Sequence, residues 1–242
     1  MVVRVYCSHR SAGVSFDECE ACAKCLPTPI IEALREYEYN PERNTYYLAE
    51  ILCCLKKSYY QRKTSQDKYH SLRSLYKKKR GKLFSKIMGT SGWQELRGCL
   101  SYDIDGEPVK LTARLDCYDP NKKEIIELKS LELDKQKKYL PRDKDKLQVQ
   151  CYGTIFKPIF LEVKGLKIVY LDMSNYEQYD VPIEDKSEWM KQRVIVLHRA
   201  IRDSQPPPRE ESYECQHCEY ADKCSLLVSP VPSRLITKNN SE

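Results

Sequence analysis

Apolar and polar residues alternate through the middle of the chain. Residues 95–104, 109–118 and 124–130 therefore read as strands, separated by turn chemistry at Asp105-Gly106 and at Asp119-Pro120-Asn121. Residues 166–173 and 176–181 read as a further hairpin pair. Elsewhere the apolar period lengthens to that of a helix. Leu48, Ile51, Leu52, Leu55 and Tyr59 predict a helix from Thr45 to about Lys79. A helix follows Pro141 over residues 143–156, and Trp189, Val194, Val196, Leu197 and Ile201 lie among the apolar positions of an amphipathic helix over 185–202. After the Pro27-Thr28-Pro29 break, residues 30–39 read as a short helix or an extended arm. This order of helix, strands, helix, strands, helix predicts a mixed central sheet flanked by helices, of the α/β or α+β class.

Composition narrows the class. The chain has 242 residues, of which 41% are hydrophobic, which suits a folded protein with a proper core and excludes global disorder. No apolar run approaches the roughly 18 residues of a membrane span. The first residues, Met1 to Cys7, carry Arg4 within their short apolar stretch and lack the layout of a secretion signal. A cytoplasmic protein with no membrane partner is the expectation. Twelve cysteines in a reducing compartment point first to metal or cluster binding and second to disulfides.

Net charge is +6, from 41 Lys and Arg against 35 Asp and Glu. Residues 56–86 alone hold twelve Lys or Arg against the single acid Asp67, so this stretch carries +11 and the rest of the chain −5. Such a stretch suits a polyanion such as nucleic acid, through release of counterions from phosphates; a solvated helix face is the other reading. Tyr59, Tyr60, Tyr69 and Tyr76 are interleaved with these charges, either to stack on bases or to bury one stripe of the helix.

Two cysteine triplets have spacings that bring thiolates onto one metal centre: Cys19-x2-Cys22-x2-Cys25, with Cys7 upstream, and Cys215-x2-Cys218-x5-Cys224 beyond the Pro206-Pro207-Pro208 linker. Chemistry of another kind is suggested by Asp116, Glu127 and Lys129. Side chains alternate faces in a strand, so Glu127 and Lys129 share one face while Leu128 is expected to enter the core. If the strand bearing Asp116 pairs with theirs, two carboxylates and an ammonium converge. That set suits Mg²⁺ or Mn²⁺, with the lysine orienting or deprotonating a water; an ordinary cross-strand salt bridge is the plainer reading. Burial and a metal would lower the lysine's pKa, and the carboxylates would hold it up. On the following helix, Gln148 and Tyr152 are four residues apart on one face and could hold a nucleic-acid strand. His70, in the basic stretch, could add an imidazole ligand.

The series Cys54-Leu-Lys-Lys-Ser-Tyr-Tyr60, His70, Leu115-Asp116, Glu127-Leu128-Lys129, Gln148 to Tyr152 and Cys215-x2-Cys218-x5-Cys224 resembles RecB-like nucleases of the PD-(D/E)xK superfamily. More narrowly, it resembles the branch whose cysteines hold an iron–sulfur cluster, which includes the CRISPR-associated exonuclease family numbered four and the nuclease domain of AddB. The resemblance implies a restriction-endonuclease-like core with an iron–sulfur-bound helical cap. It implies that His70, Asp116, Glu127 and the Leu128 carbonyl bind catalytic Mg²⁺ or Mn²⁺, with Asp116, Glu127 and Lys129 as catalytic residues. Gln148 and Tyr152 would contact DNA. Cys54, Cys215, Cys218 and Cys224 would hold a 4Fe–4S cluster, although neighbouring Cys53 leaves the first ligand open.

The activity implied is exonuclease digestion of single-stranded DNA in CRISPR spacer acquisition, alongside the CRISPR integrase complex. A viral or plasmid recombination nuclease and a non-catalytic nucleic-acid scaffold are the alternatives. Four regions follow: a cysteine-rich extension over 1–29, a basic helical region over 30–94, the nuclease core over 95–205, and the cysteine-rich segment and tail over 206–242. Cys7, Cys19, Cys22 and Cys25 fall outside the family core. Four thiolates suit a tetrahedral Zn²⁺, while a partner-binding knuckle and a subgroup extension are the other readings.

Overall fold

A long hairpin organises the molecule. In the computed structural model, which describes residues 4–7, 10–35, 42–63, 69–72, 75–76, 79–81, 93–158, 162–172, 174–218 and 220–224, the alternating middle of the chain folds back on itself at Asp105-Gly106. Both turn residues have positive φ (56° and 81°), as a tight two-residue hairpin turn requires. The outgoing arm is β5 (Trp93–Gln94) and β6 (Arg97–Ile104), and the returning arm is β7 (Glu107–Arg114) and β8 (Cys117–Asp119). The two arms change sheet together. At the change, Leu115 N donates to Leu96 O and Glu95 N to Asp116 O, and Glu95 adopts φ 53°. The strand expected over 109–118 is thus two strands, because the ribbon bends at Leu115-Asp116.

Beyond the bend, β8 pairs antiparallel with β9 (Glu124–Ser130), and β9 pairs parallel with β10 (Gly165–Leu171), which pairs antiparallel with β11 (Tyr176–Val181). This gives a five-stranded sheet of order β11-β10-β9-β8-β5. A parallel pair needs a crossover, and the crossover here carries the helix at Asp143–Phe156, which packs on β9 and β10. Before the bend, β6 and β7 form a second sheet with β3 (Thr45–Tyr47), in the order β3-β7-β6. The fold is therefore the mixed sheet and helix arrangement that the periodicity predicts.

Helices are numbered α1 (Phe16–Cys22), α2 (Thr28–Leu34), α3 (Leu48–Ile51), α4 (Leu55–Lys63), α5 (Leu133–Gln136), α6 (Asp143–Phe156), α7 (Ser187–Arg202) and α8 (Ala221–Cys224). The continuous helix expected from Thr45 to Lys79 is absent. Thr45–Tyr47 is a strand, Cys53 and Cys54 lie between two short helices, and Tyr69–Ser71 forms β4. The apolar period was sound, since Leu48, Ile51, Leu55 and Tyr59 are all buried, but long-range strand pairing claims both flanks. Arg199 and Arg202 of α7 grip Asp105 at the hairpin tip, with N–O distances of 2.7 Å each.

The main core lies between these sheets, α6 and α7, and includes Tyr46, Leu111, Leu115, Ile125, Phe156, Ile168 and Val194. A second, smaller core belongs to the N-terminal sheet of order β2-β1-β4, with β1 over Arg4–Cys7 and β2 over Ala12–Ser15. No helix among the described residues is long and apolar enough to cross a membrane.

Candidate active site

The bend in the hairpin places Asp116 beside β9 at the point where β8 stops pairing. Cys117 is opposite Ile126, and two residues further along β9 the Leu128 amide has no strand partner on that edge. It donates instead to Asp116 Oδ2 at 2.9 Å. A residue in a strand projects its N–H and C=O to the same edge, so the Leu128 carbonyl faces the Asp116 side as well.

Glu127 and Lys129 share the opposite set of positions, and α6 covers them. Glu127 is only 3% exposed whereas Leu128 is half-buried, which reverses the expectation that Leu128 would enter the core. Alternation separates two faces; the crossover helix decides which one is covered. Lys129 Nζ lies 2.6 Å from Glu127 Oε1 and 3.8 Å from Asp145 Oδ1. Gln148 joins the group from α6: its Oε1 accepts from Lys129 Nζ at 2.8 Å, and its Nε2 donates to Glu127 Oε1 and to Tyr152 OH, each at 2.8 Å. Tyr152 is buried, 5% exposed, and so supports this network from beneath. Asp145 is fixed by Tyr170 OH at 2.8 Å, and that oxygen in turn accepts from the Arg142 amide.

Electrostatics follow from burial. Desolvation pushes the Glu127 carboxyl up to about 8, Lys129 opposes this, and the adjacent Asp116 carboxylate adds to it. Burial pulls Lys129 down, but Glu127, Asp145 and Asp116 more than reverse it, and its pKa is raised overall. The lysine is therefore an ammonium at neutral pH, suited to orienting a water rather than taking its proton. Burial, with Glu127 nearby, keeps the Tyr152 phenol protonated throughout.

Glu127 Oε2 is buried with no hydrogen-bond partner. An orphaned carboxylate oxygen facing a second carboxylate is costly unless a cation completes it, so the donor set fits a hard divalent ion. Among the described residues no three His, Cys, Asp or Glu side chains gather closely enough to hold an ion. The oxygens available are thus Asp116, Glu127 and the Leu128 carbonyl. His70 lies on β4, opposite Val5 in the N-terminal sheet, and its side chain lies outside the described residues.

A second constellation lies beside α4. Cys54, Cys215, Cys218 and Cys224 all line one cavity of about 400 Å³, together with Tyr60 and Tyr220, whose rings stack 5.8 Å apart. Cys53 does not line it. Its thiol is 3.7 Å from Lys144 Nζ, which also pairs with Glu214 at 3.0 Å. Arg193 of α7 binds both banks of the cavity: its guanidinium donates to the carbonyls of Ile51 and Cys53 and makes two bonds to Glu210, at 2.9 and 3.0 Å, over the Trp189 ring. Arg193, Glu210, Lys144 and Asp145 carry no motif, and periodicity alone gives no reason to single them out.

No curated protein matches the sequence. A phage related exonuclease from Haemophilus somnus 129PT aligns at 12% identity over 77% of this chain and 86% of its own, with a TM-score of 0.32, too low to bear on the fold. The crystal structure of SSO0001 is similar in fold: TM-score 0.62 at 19% identity, covering 83% of this chain and 96% of that one. The family model for the PD-(D/E)XK nuclease superfamily matches residues 32–225, which span the bent hairpin, β9, α6 and the cysteine cavity. With most of its length matched and its carboxylates and lysine gathered at β9, the chain belongs to the PD-(D/E)XK nuclease superfamily.

Proposed function

We propose that the protein is a Mg²⁺- or Mn²⁺-dependent deoxyribonuclease that hydrolyses phosphodiester bonds of single-stranded DNA from an end. The observation that carries this reading is the convergence of Asp116, Glu127 and Lys129, with a buried Glu127 oxygen left unpartnered. Asp116, Glu127 and the Leu128 carbonyl would hold the ion, with His70 as a further ligand. The ion supplies Lewis-acid activation and neutralises charge on the leaving oxygen. Lys129, held as an ammonium by Glu127 and Gln148, orients the attacking water. Gln148 and Tyr152 keep that ammonium in place. The +11 stretch over residues 56–86 supplies the attraction for the DNA backbone.

Cys54, Cys215, Cys218 and Cys224 would hold a 4Fe–4S cluster. Four thiols around one cavity, rather than packed against each other, suit a multi-iron group better than a single ion. The position of Cys53 beside Lys144 favours Cys54 as the first ligand. The setting we propose is CRISPR spacer acquisition with the CRISPR integrase complex, on the order of motifs along the chain. Co-purification with that complex tests the setting, and failure to associate removes it.

The activity is tested with cluster-loaded protein and end-labelled single-stranded DNA in Mn²⁺. Asp116→Ala should lower digestion at least about a hundredfold, and an unchanged rate refutes the catalytic assignment. Absorbance at about 400 nm should be present in the anaerobically purified protein, survive Cys53→Ser and be lost in Cys54→Ser. A colourless protein refutes the cluster.

A further inference from the structure

Eight cysteines remain outside both sites, and four of them, Cys7, Cys19, Cys22 and Cys25, belong to one small module. Cys7 ends β1, and the β1–β2 hairpin runs directly into α1 through a capping box: Ser15 Oγ accepts from the Glu18 amide at 3.1 Å, and the Glu18 carboxylate accepts from the Ser15 amide at 2.8 Å. Helix α1 carries Cys19 and Cys22 one turn apart. Ala23 then takes the left-handed conformation, φ 45°, which ends the helix and turns the chain so that Cys25 follows on the loop. Cys19 is buried in a core made by Val5, Val14, Phe16, Ile31, Leu34 and Leu75, and Cys7 packs against the same core.

The thiols sense one another. Burial pushes the Cys19 thiol up, and the neighbouring thiols of Cys25, Cys7 and Cys22 push it further. A core of so few apolar residues gives little stability without a staple such as a structural metal. This module also has a function to support. Strand β1 pairs in parallel with β4, placing Arg4 opposite Tyr69, Val5 opposite His70 and Tyr6 opposite Ser71. Cys7 therefore sits at the end of the strand that holds the His70 segment in place.

We propose that Cys7, Cys19, Cys22 and Cys25 form a tetrathiolate site for a structural Zn²⁺, which staples β1, β2 and α1 into the platform that positions the His70 strand. A tetrahedral Zn²⁺ accepts four thiolates and neutralises the repulsion between them, releasing the thiol protons as it binds. The four thiols do not gather closely enough to hold an ion as they stand; Cys7 and Cys19 pack in the core, so closing the site requires half-buried Cys22 and exposed Cys25 to turn inward. The zinc site stands apart from the nuclease reading; only its effect through His70 rests on that reading.

The test uses the full chain, purified anaerobically with its iron and expressed with zinc in the medium. Elemental analysis should find one zinc per chain. In Cys22→Ser/Cys25→Ser zinc should fall below about a tenth of that value while iron stays unchanged. Cys25→Ser alone, at an exposed position, should also lose zinc and separates ligand loss from disturbance of the core. Hydrogen exchange at the amides of residues 69–71 should quicken at least about tenfold in the zinc-free variants. A wild-type chain without zinc, or iron lost together with Cys22 and Cys25, overturns the zinc site. Zinc loss with unchanged exchange at 69–71 overturns the staple. Digestion of DNA enters none of these readouts, so failure of the nuclease reading would leave the zinc result standing.

Discussion

Arg193→Met separates what holds the cysteine cavity from what merely surrounds it. Methionine keeps much of the arginine's apolar stem over Trp189 but removes every donor. The Ile51 and Cys53 carbonyls lose their partner on a half-buried surface, at a cost of about 1–3 kcal/mol each. The paired Glu210 carboxylate is 38% exposed, so solvent screens its share to about 1 kcal/mol or less. The sum is a loss of about 2–7 kcal/mol, or a fall in Tm of roughly 4–28 °C for a chain of this size. Urea unfolding of the wild type, Arg193→Met, Glu210→Gln and the double variant measures it. The carbonyls should dominate, with the Arg193–Glu210 coupling at or below about 1 kcal/mol. A loss under about 0.5 kcal/mol, or a Glu210→Gln variant as damaged as Arg193→Met, refutes the assignment of Arg193 as the brace of both banks.

Gly98 faces α6 so closely that a Cβ would lie 2.9 Å from the Phe156 ring; Gly98→Ala should cost about 1–3 kcal/mol by overpacking, read from the urea midpoint. In the metal-free protein the raised pKa of Glu127 means that the folded chain keeps a proton that the unfolded chain sheds above 4.5. Stability should therefore fall as pH rises from 4.5 towards about 8, and Glu127→Gln should flatten that slope. Lys129, raised above 10.5, contributes fully throughout this window and does not alter its shape. Calorimetry of Mg²⁺ binding at neutral pH, in buffers of different ionisation enthalpy, should show proton release that Glu127→Gln abolishes. His198 is the opposite case: burial lowers its pKa, so stability should drop as pH falls through 6.5, and His198→Asn should remove that component of the acid slope.

Much of this architecture was legible because local chemistry and global pairing agree. Asp105-Gly106 marks the hairpin tip, and helix α6 starts just after Pro141 and ends just before Pro158. Spacing allows Asp116 to meet Glu127 and Lys129 if their strands pair, and the structure brings the three together. What could not be read depends on distant partners. Residues 69–71 become a strand because residues 4–6 lie beside them, and nothing within the basic stretch announces that pairing. The covered face of β9 was misread because a Glu-Leu-Lys triplet normally buries its leucine, whereas here α6 covers the glutamate and Gln148 donates to one of its two oxygens. Asp145 and Arg193 look like ordinary helix-surface charges until the packing of α6 and α7 turns them inward.

The parallel pairing of β1 with β4 has a practical consequence for anyone handling this protein. A shortened version beginning after Pro29 would look in the sequence like the removal of a cysteine-rich tail. It would instead strip the neighbour from β4 and half the lining from the core that contains Ile31, Leu34 and Leu75. The bared strand edge would present unpaired amides and carbonyls beside exposed apolar side chains, a template for association between molecules. Trimming should therefore promote association between molecules, and tags are better placed so that residues 4–15 stay intact.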